Sequence, residues 1–138
     1  MALPGGRLHE GESTDDCAMR ELQEELGITV SSRAILGSLD DFDTRSGFTI
    51  TPVVIWANAE TAGLKPSKFE VAALHIIALP DLRAAVSSAM PGQDFSLQLE
   101  RIQVFAPTAA ILYQFSEVAV GGRLVRVTDF YQPPFTHR

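Results

Sequence analysis

Three glutamates near the start of the sequence have a spacing that suits the binding of a hard metal ion. They lie in the stretch Leu3–Val30, which reads LPGGRLHEGESTDDCAMRELQEELGITV. On a helical wheel at about 100° per residue, Glu21, Glu24 and Glu25 share an arc about 100° wide. Like charges at this spacing repel one another, and no lysine is interspersed on the arc. Because carboxylate oxygens converging from one face are ligands that Mg²⁺ and Mn²⁺ prefer, the stretch indicates a divalent metal site.

Neighbouring residues in the same stretch can support such a site. Arg20 lies one turn before Glu24, where it can orient a carboxylate by a charge-assisted hydrogen bond. Gly5 and Gly6 allow backbone groups to approach a metal or a phosphate closely. Cys17 falls on the acidic arc, and we interpret it as a small packing residue rather than as a soft metal ligand.

A helix over about Thr14–Leu26 is needed to bring the glutamates together. Ser13 or Thr14 can cap its N-terminus, and two aspartates in the first turn suit the helix dipole. Gly27 stands where a left-handed C-terminal cap is expected. An apolar arc beside the acidic one predicts the face that packs on the core: Ala18, Met19, Leu22 and Leu26.

The remainder of the chain predicts a mixed α/β domain. Apolar, β-branched runs predict three strands, at 34–42, 48–58 and 71–79. Two further helices are predicted, at 80–90 and, with proline at its first position, at 107–120. Residues 90–96 are predicted to be a loop, and a Gly-Gly pair predicts a hairpin turn within 119–127. The length and the absence of a linker favour one domain, 1–138.

Composition excludes some functions and favours others. The formal net charge of −6 argues against a basic grip on polymeric DNA or RNA, but a small phosphorylated ligand remains compatible because a bound cation can invert the local field. No apolar run approaches the roughly 20 residues that span a bilayer, so no membrane partner is expected. The single cysteine fits a reducing cytoplasm.

The stretch Gly6–Ile28 resembles the signature of a known family. It carries the pattern G-x5-E-x7-R-E-L-x-E-E-x-G-I, with nine constrained positions over 23 residues. This pattern is similar to the Nudix box. The resemblance implies an α/β/α sandwich around a mixed β-sheet, with the box forming a loop–helix–loop. It also implies metal-dependent attack of water on a phosphorus of a nucleoside diphosphate linked to another group X.

The resemblance also implies roles for the residues of the box. Glu24 and Glu25 would be the main ligands of Mg²⁺ or Mn²⁺, and Glu21 would be a further ligand or the proton acceptor. Glu12 would support the site from the loop, and Arg20 would position the glutamates.

Further roles fall on the glycine loop and on a later loop. Gly5, Gly6 and Arg7 would contact the substrate, and the carbonyl of Gly5 or Gly6 would complete the coordination of the metal. Glu70 is an outside candidate for the general base, and an exposed glutamate at a strand edge is an equally good interpretation of it.

Three stretches after the box resemble coenzyme A pyrophosphatase-like members of the family: Ile50–Ala57, Lys65–Leu82 and Phe105–Leu112. They imply a CoA-like substrate. The alternatives are ADP-ribose, a dinucleotide or a nucleoside triphosphate, or a Nudix-like nucleotide-binding or regulatory protein without hydrolytic activity.

The chain departs from the family at its start. Nudix domains have strands before the box, and this sequence shows none, so we expect the sheet to lack its first strands. An open sheet edge of this kind favours pairing, and a homodimer is therefore a possible state.

Several other residues have two interpretations. Trp56 and Tyr113 are expected to be core aromatics, with stacking on an adenine as the alternative. His75 is expected to be a structural histidine in an apolar strand, and His9 a surface residue of the glycine loop. Arg45, Arg83 and Lys65 could each meet a phosphate, and the spacing selects none of them.

Overall fold

The computed structural model describes residues 2–58, 63–68, 71, 73–89 and 95–122. Its described residues form two compact units. The helix-1 unit contains residues 2–38, 53–58, 63–68, 71 and 73–75, and the hairpin unit contains residues 39–52, 76–89 and 95–122. The single domain over 1–138 stays a prediction.

The helix-1 unit is built on one helix and one strand pair. Helix α1 spans Thr14–Leu26, and strands β1 (Ile35–Ser38) and β4 (Val53–Ile55) pair antiparallel with a bulge between Ile35 and Gly37. A short 3₁₀ helix, Ser32–Ala34, leads into β1. The bounds of α1 confirm the predicted helix.

The hairpin unit holds the remaining elements. Strands β2 (Phe42–Asp43) and β3 (Thr49–Ile50) form one antiparallel pair, and β5 (Ser96–Leu99) and β6 (Ile102–Phe105) form another. The helices are α2 (Leu79–Ser87) and α3 (Thr108–Gln114), and α3 continues as a π-helix over Phe115–Val120. The mixture of helices and small sheets confirms the predicted α/β class.

The core of the hairpin unit lies between α2, α3 and the β5–β6 hairpin. Its fully buried members include Phe95, Leu97, Leu99, Val104 and Ala109. Tyr113 packs edge-on against Phe95, with ring centroids 5.4 Å apart. Its predicted place in the core is therefore confirmed.

Two predicted strands are interrupted in the structure. The run 34–42 divides into β1 and β2, and the run 48–58 divides into β3 and β4. Pro52 has no amide hydrogen for a ladder, although its carbonyl accepts from Leu39 at 2.9 Å. The amide of Asp40 donates to the side chain of Gln114 at 2.8 Å instead of to a strand.

The prediction of a strand at 71–79 is wrong for the residues that the structure describes there. Residue 71 and residues 73–78 belong to no strand, and Leu79 already begins α2. An apolar run shows that a segment can be buried, but a strand also needs a partner at its edge. His75 is exposed and lies in no strand, so the expectation of a structural histidine in an apolar strand is also wrong, and the neighbouring Ile76 is 51% exposed.

The β5–β6 hairpin has no counterpart in the sequence prediction. Leu97 and Leu99 alternate with polar residues, and this alternation is the signal that could have identified it. Within the described ranges, no helix has the length and apolar character needed to cross a bilayer. The predicted hairpin at 119–127 lies largely outside the described residues, as does most of the loop at 90–96.

Candidate functional site

Local sequence rules set both ends of the helix that carries the glutamates. The hydroxyl of Ser13 accepts from the amide of Asp16 at 3.0 Å, which satisfies one of the open donors of the first turn. At the other end, Gly27 adopts φ 70° and donates to the carbonyl of Gln23 at 2.9 Å. Both caps confirm the prediction, with Ser13 rather than Thr14 as the N-cap.

One face of α1 packs inward, and the acidic arc beside it is only partly accessible. Cys17 and Leu26 are buried, and the other predicted core residues (Ala18, Met19 and Leu22) are partly buried. Glu24 is exposed, with 44% of its side chain accessible, whereas Glu21 has only 14% accessible. The glutamates therefore differ in how freely their carboxylates can reach a ligand.

Arg20 holds three carboxylates at once. Its Nε and Nη2 donate to the two oxygens of Glu12 at 2.8 and 3.0 Å, which makes a bidentate ion pair. Its Nη1 donates to Glu21 at 2.9 Å and to Glu24 at 3.2 Å. Because the planar guanidinium carries five donors in a fixed fork, one side chain can fix three acids in this way. Arg20 therefore contacts the carboxylates that the resemblance would have it position, and its functional role stays a prediction.

This ion pair perturbs the acid–base behaviour of both partners. The hydrogen bond from Arg20 is the main cause that lowers the pKa of Glu12 to about 2, and the backbone amide of His9 contributes further. The same bond to Glu12 raises the pKa of Arg20 above its ordinary value. Glu12 therefore remains ionised near neutral pH.

A pH-dependent contribution to stability follows from the lowered pKa of Glu12. A carboxyl whose pKa is lower in the folded state stabilises the fold above its unfolded pKa, here 4.5, and loses that contribution as the pH falls toward 2. We expect Glu12→Gln to lower the free energy of unfolding by a constant amount above pH 4.5. The difference from wild type should shrink steadily below that pH, as measured by urea unfolding across a pH series.

The matched control for this experiment is Glu10→Gln, which removes the same charge from an exposed position of the same loop. A difference between wild type and Glu12→Gln that stays unchanged from pH 4.5 down to pH 2 would contradict the assigned role of the Glu12–Arg20 pair.

The glycine loop is tied to α1 through backbone contacts. The amide of Gly5 donates to a carboxylate oxygen of Glu25 at 2.8 Å. A Cβ placed on Gly6 would lie 2.6 Å from Cδ of Glu21, so only glycine fits there without a shift of the carboxylate. The loop and the acidic arc are thus in direct contact.

Cys17, on α1, contacts the same loop through its thiol. Its thiol lies 3.6 Å from the carbonyls of Gly6 and Arg7, and Nη2 of Arg20 donates to its sulfur at 3.6 Å. The same Nη2 donates to the carbonyl of Arg7 at 3.1 Å. Burial is the main cause that raises the pKa of Cys17, so the thiol stays protonated and can donate to a carbonyl. This placement supports the packing interpretation of Cys17.

The donor types on this arc fit a hard divalent cation, while their present contacts are with protein groups. Among the described residues, no three His, Cys, Asp or Glu side chains converge as a group that could hold a metal ion. Glu21 and Glu24 face Arg20, and Glu25 faces the amide of Gly5. Of the three carboxylates around Arg20, that of Glu24 has the longest bond to the arginine and is the most exposed. It can therefore turn from Arg20 to a metal ion most easily.

The other predicted residues lie in different surroundings. Glu70 lies outside the described residues, so its role as general base stays a prediction. His9 is exposed in the loop, as expected, and Trp56 is 64% exposed, so its predicted place in the core is wrong. Arg83 donates within its own unit, to the carbonyl of Ser116 at 2.8 Å.

A backbone contact at the end of α1 was not predicted. The amides of Lys65 and Ser67 donate to the carbonyls of Leu26 and Glu25, both at 2.8 Å. Pro66 is a feature of the sequence that fits this contact. It lacks an amide hydrogen, and it lies between the two residues whose amides donate to the helix.

Comparison with known proteins places these residues in a family. A model of the NUDIX domain matches residues 1–94. The uncharacterized Nudix hydrolase NudL of Pectobacterium atrosepticum is 32% identical over 131 residues, covering 84% of this chain and 65% of the relative. Nudix hydrolase 3 of Caenorhabditis elegans is 34% identical over 85 residues, covering 59% of this chain and 35% of the relative.

A second NudL protein, from Yersinia enterocolitica, is 40% identical over 55 residues, covering 39% of this chain and 28% of the relative. The chain therefore spans less than two thirds of the length of each of these relatives.

Proposed function

Since the chain belongs to the Nudix family, we propose that it hydrolyses a pyrophosphate bond in a nucleoside diphosphate linked to another group. Mg²⁺ or Mn²⁺ is the proposed cofactor, because proteins of this family generally act with a divalent metal ion on small nucleotide-type substrates. The observation that carries the proposal is the arrangement on α1, where one arginine holds three acids beside a glycine loop.

The proposed roles follow from the exposure and contacts of each side chain. Glu24 and Glu25 would hold the metal, because they offer hard oxygen donors one residue apart on the same arc. Glu21 has most of its carboxylate shielded and is fixed by Arg20, which suits a further ligand or a proton acceptor of set orientation. When bound, the metal supplies Lewis-acid polarisation of the phosphoryl oxygens and acidifies a bound water.

The glycine loop would bring backbone groups to the substrate. Gly5 already directs its amide toward Glu25, and Gly6 lies against Glu21 without a side chain between them. Loop amides and carbonyls at this position can contact a phosphate or complete the coordination of the metal. Arg7 lies in the same loop, where its carbonyl accepts from Arg20, and it is proposed to contact the substrate.

A CoA-like compound is the proposed substrate. Its support is the sequence resemblance of three stretches to coenzyme A pyrophosphatase-like proteins, at residues 50–57, 65–82 and 105–112. In the structure, Thr51-Pro52 directly precedes β4, and Thr108-Ala109 begins α3. The alternatives within the same chemistry are ADP-ribose, a dinucleotide and a nucleoside triphosphate.

The test is a panel of substrates with Mg²⁺ or Mn²⁺ present. CoA, ADP-ribose, a dinucleoside polyphosphate and a nucleoside triphosphate would each be incubated with the protein, and the products separated by chromatography. Cleavage of CoA to a phosphopantetheine and an adenosine bisphosphate would support the proposed substrate. Cleavage of another member would keep the reaction and replace the substrate, and saturable binding without cleavage would favour the nucleotide-binding alternative.

A further inference from the structure

A short segment is fastened across the C-terminal end of α1. We call residues 63–68 the strap. The amide of Ser67 donates to the carbonyl of Glu25, and the amide of Lys65 donates to the carbonyl of Leu26, both at 2.8 Å. These bonds satisfy carbonyls that the end of a helix leaves without partners. The strap is therefore held to the backbone of a residue proposed to bind the metal.

Close packing fixes the position of the strap further. A Cβ placed on Gly27 would lie 2.8 Å from the Cβ of Lys65, so the first carbon of this lysine sits directly against the helix cap. Gly27 also needs its positive φ of 70°, which most side chains avoid. Because Gly27 has no side chain, it can adopt the left-handed cap conformation, and it leaves room for Lys65 of the strap.

Both lysines of this chain lie in the strap. Lys65 and Lys68 are its only two lysines, in a sequence with a formal net charge of −6. Both residues are exposed, and neither forms an ion pair with another residue that the structure describes. The strap bonds the carbonyl of Glu25, and Glu21 lies about 6 Å from Glu25 along the axis of α1, at 1.5 Å per residue. The glutamates therefore lie within two helical turns of the strap.

A simpler role for the lysines must be distinguished. The last turn of α1 has no basic residue, and a cation near the carbonyl end of a helix stabilises it through the helix dipole. That role would use the charge of Lys65 and affect stability alone. It would not involve a ligand.

We propose that Lys65 and Lys68 bind the phosphate groups of the substrate beside the glutamates of α1. This inference rests on the proposed function, and it selects Lys65, which the sequence alone leaves unselected, together with Lys68. A polyphosphate approaching an acidic protein is repelled, and two flexible ammonium groups on a segment hydrogen-bonded to the C-terminal end of α1 would counter this repulsion locally. The bonded amide of Lys65 fixes its backbone, and Lys68 directly follows the bonded Ser67. Their four-carbon stems allow the charges to follow the ligand.

The scarcity of lysine makes a direct binding test possible. Reductive methylation with ¹³C-formaldehyde retains the positive charge and labels Lys65 and Lys68, together with the N-terminal amine. Single variants, Lys65→Gln and Lys68→Gln, assign the two signals. Titration with ADP in the presence of Mg²⁺ is expected to shift both lysine signals along a saturable curve, whereas adenosine, which lacks phosphate, should leave them in place.

Calorimetric titration of the unmodified protein with ADP and Mg²⁺ measures the effect of each lysine on affinity. We expect each lysine variant to raise the Kd about three- to tenfold, with a smaller difference at high salt. Arg33→Gln is the matched control, because it removes one exposed positive charge from the 3₁₀ helix of the same unit. Its Kd should stay within about twofold of wild type.

The outcomes separate this inference from the proposed function. Lysine signals that shift with ADP support the inference even if no member of the substrate panel is cleaved, in which case only the hydrolytic function fails. Cleavage of a substrate without any shift of the lysine signals overturns the inference and retains the function. A lower Tm of Lys65→Gln with an unchanged Kd also overturns it and assigns the lysine to the helix dipole.

Discussion

Glu24→Gln is expected to remove most of the hydrolytic activity, with kcat falling roughly 100-fold or more. Glu24 is the most exposed of the carboxylates around Arg20 and has the longest bond to it, at 3.2 Å. A glutamine keeps the size of the side chain and a neutral oxygen, but it loses the charge that a divalent cation needs. The measurement is kcat on whichever member of the substrate panel wild type cleaves.

The same substitution should also remove a metal-dependent gain in stability. A ligand that binds only the folded state stabilises it by about 2.7 kcal/mol at 100 times its Kd, which is several degrees in Tm for a protein of this size. Wild type should therefore melt at a higher temperature as Mg²⁺ or Mn²⁺ is added, and Glu24→Gln should show little of this rise. Thermal unfolding followed by circular dichroism provides this readout independently of turnover.

Glu100→Gln is the control for both measurements. It makes the same change of charge at an exposed position in the turn between β5 and β6. This variant should respond to the metal as wild type does. A full metal response in Glu24→Gln, or the loss of the response in Glu100→Gln, would remove Glu24 from its proposed role.

Arg20→Lys is expected to lower kcat about tenfold, and Arg20→Ala roughly 100-fold. Lysine keeps the positive charge but loses the fork that contacts Glu12, Glu21 and Glu24 simultaneously. Without that fork, the carboxylates lose their set orientation toward the substrate. Both variants should also melt at a lower temperature than wild type.

The affinity for the metal should respond differently from kcat in these variants. Arg20 competes with a cation for the oxygens of Glu21 and Glu24, so its removal should leave the apparent Kd for Mg²⁺ unchanged or tighter. Kinetic titration with Mg²⁺ at saturating substrate measures both parameters. A weaker Kd for Mg²⁺ with an unchanged kcat would contradict the positioning role of Arg20.

The candidate site could be predicted from the sequence because its parts are close along the chain. Ser13 and Gly27 set the ends of α1 by local hydrogen bonds, and the period of the helix places the glutamates on one arc. Arg20 reaches Glu12 across only eight residues. Such contacts depend on a few neighbouring side chains, so the residue types and their spacing are sufficient to indicate them.

Predictions that depended on distant partners were less successful. The run at 71–79 has the composition of a strand, yet the described residues there join no sheet, and Trp56 lies exposed despite its apolar neighbours. The β5–β6 hairpin was not predicted at all. A strand or a core position exists only where another segment supplies hydrogen bonds or contact, and composition does not identify that segment.

The sequence by itself determined the family, the helix that carries the acids and the type of chemistry that those acids suit. The tertiary structure alone decided three contacts around this helix. The amide of Gly5 bonds Glu25, the thiol of Cys17 bonds the carbonyl of Gly6, and the strap bonds the last carbonyls of α1. The physical reason lies in the range of the interactions. Helix caps and helical periodicity act within a few residues, whereas the strap joins Glu25 to Ser67, and that pairing depends on how the intervening chain folds back.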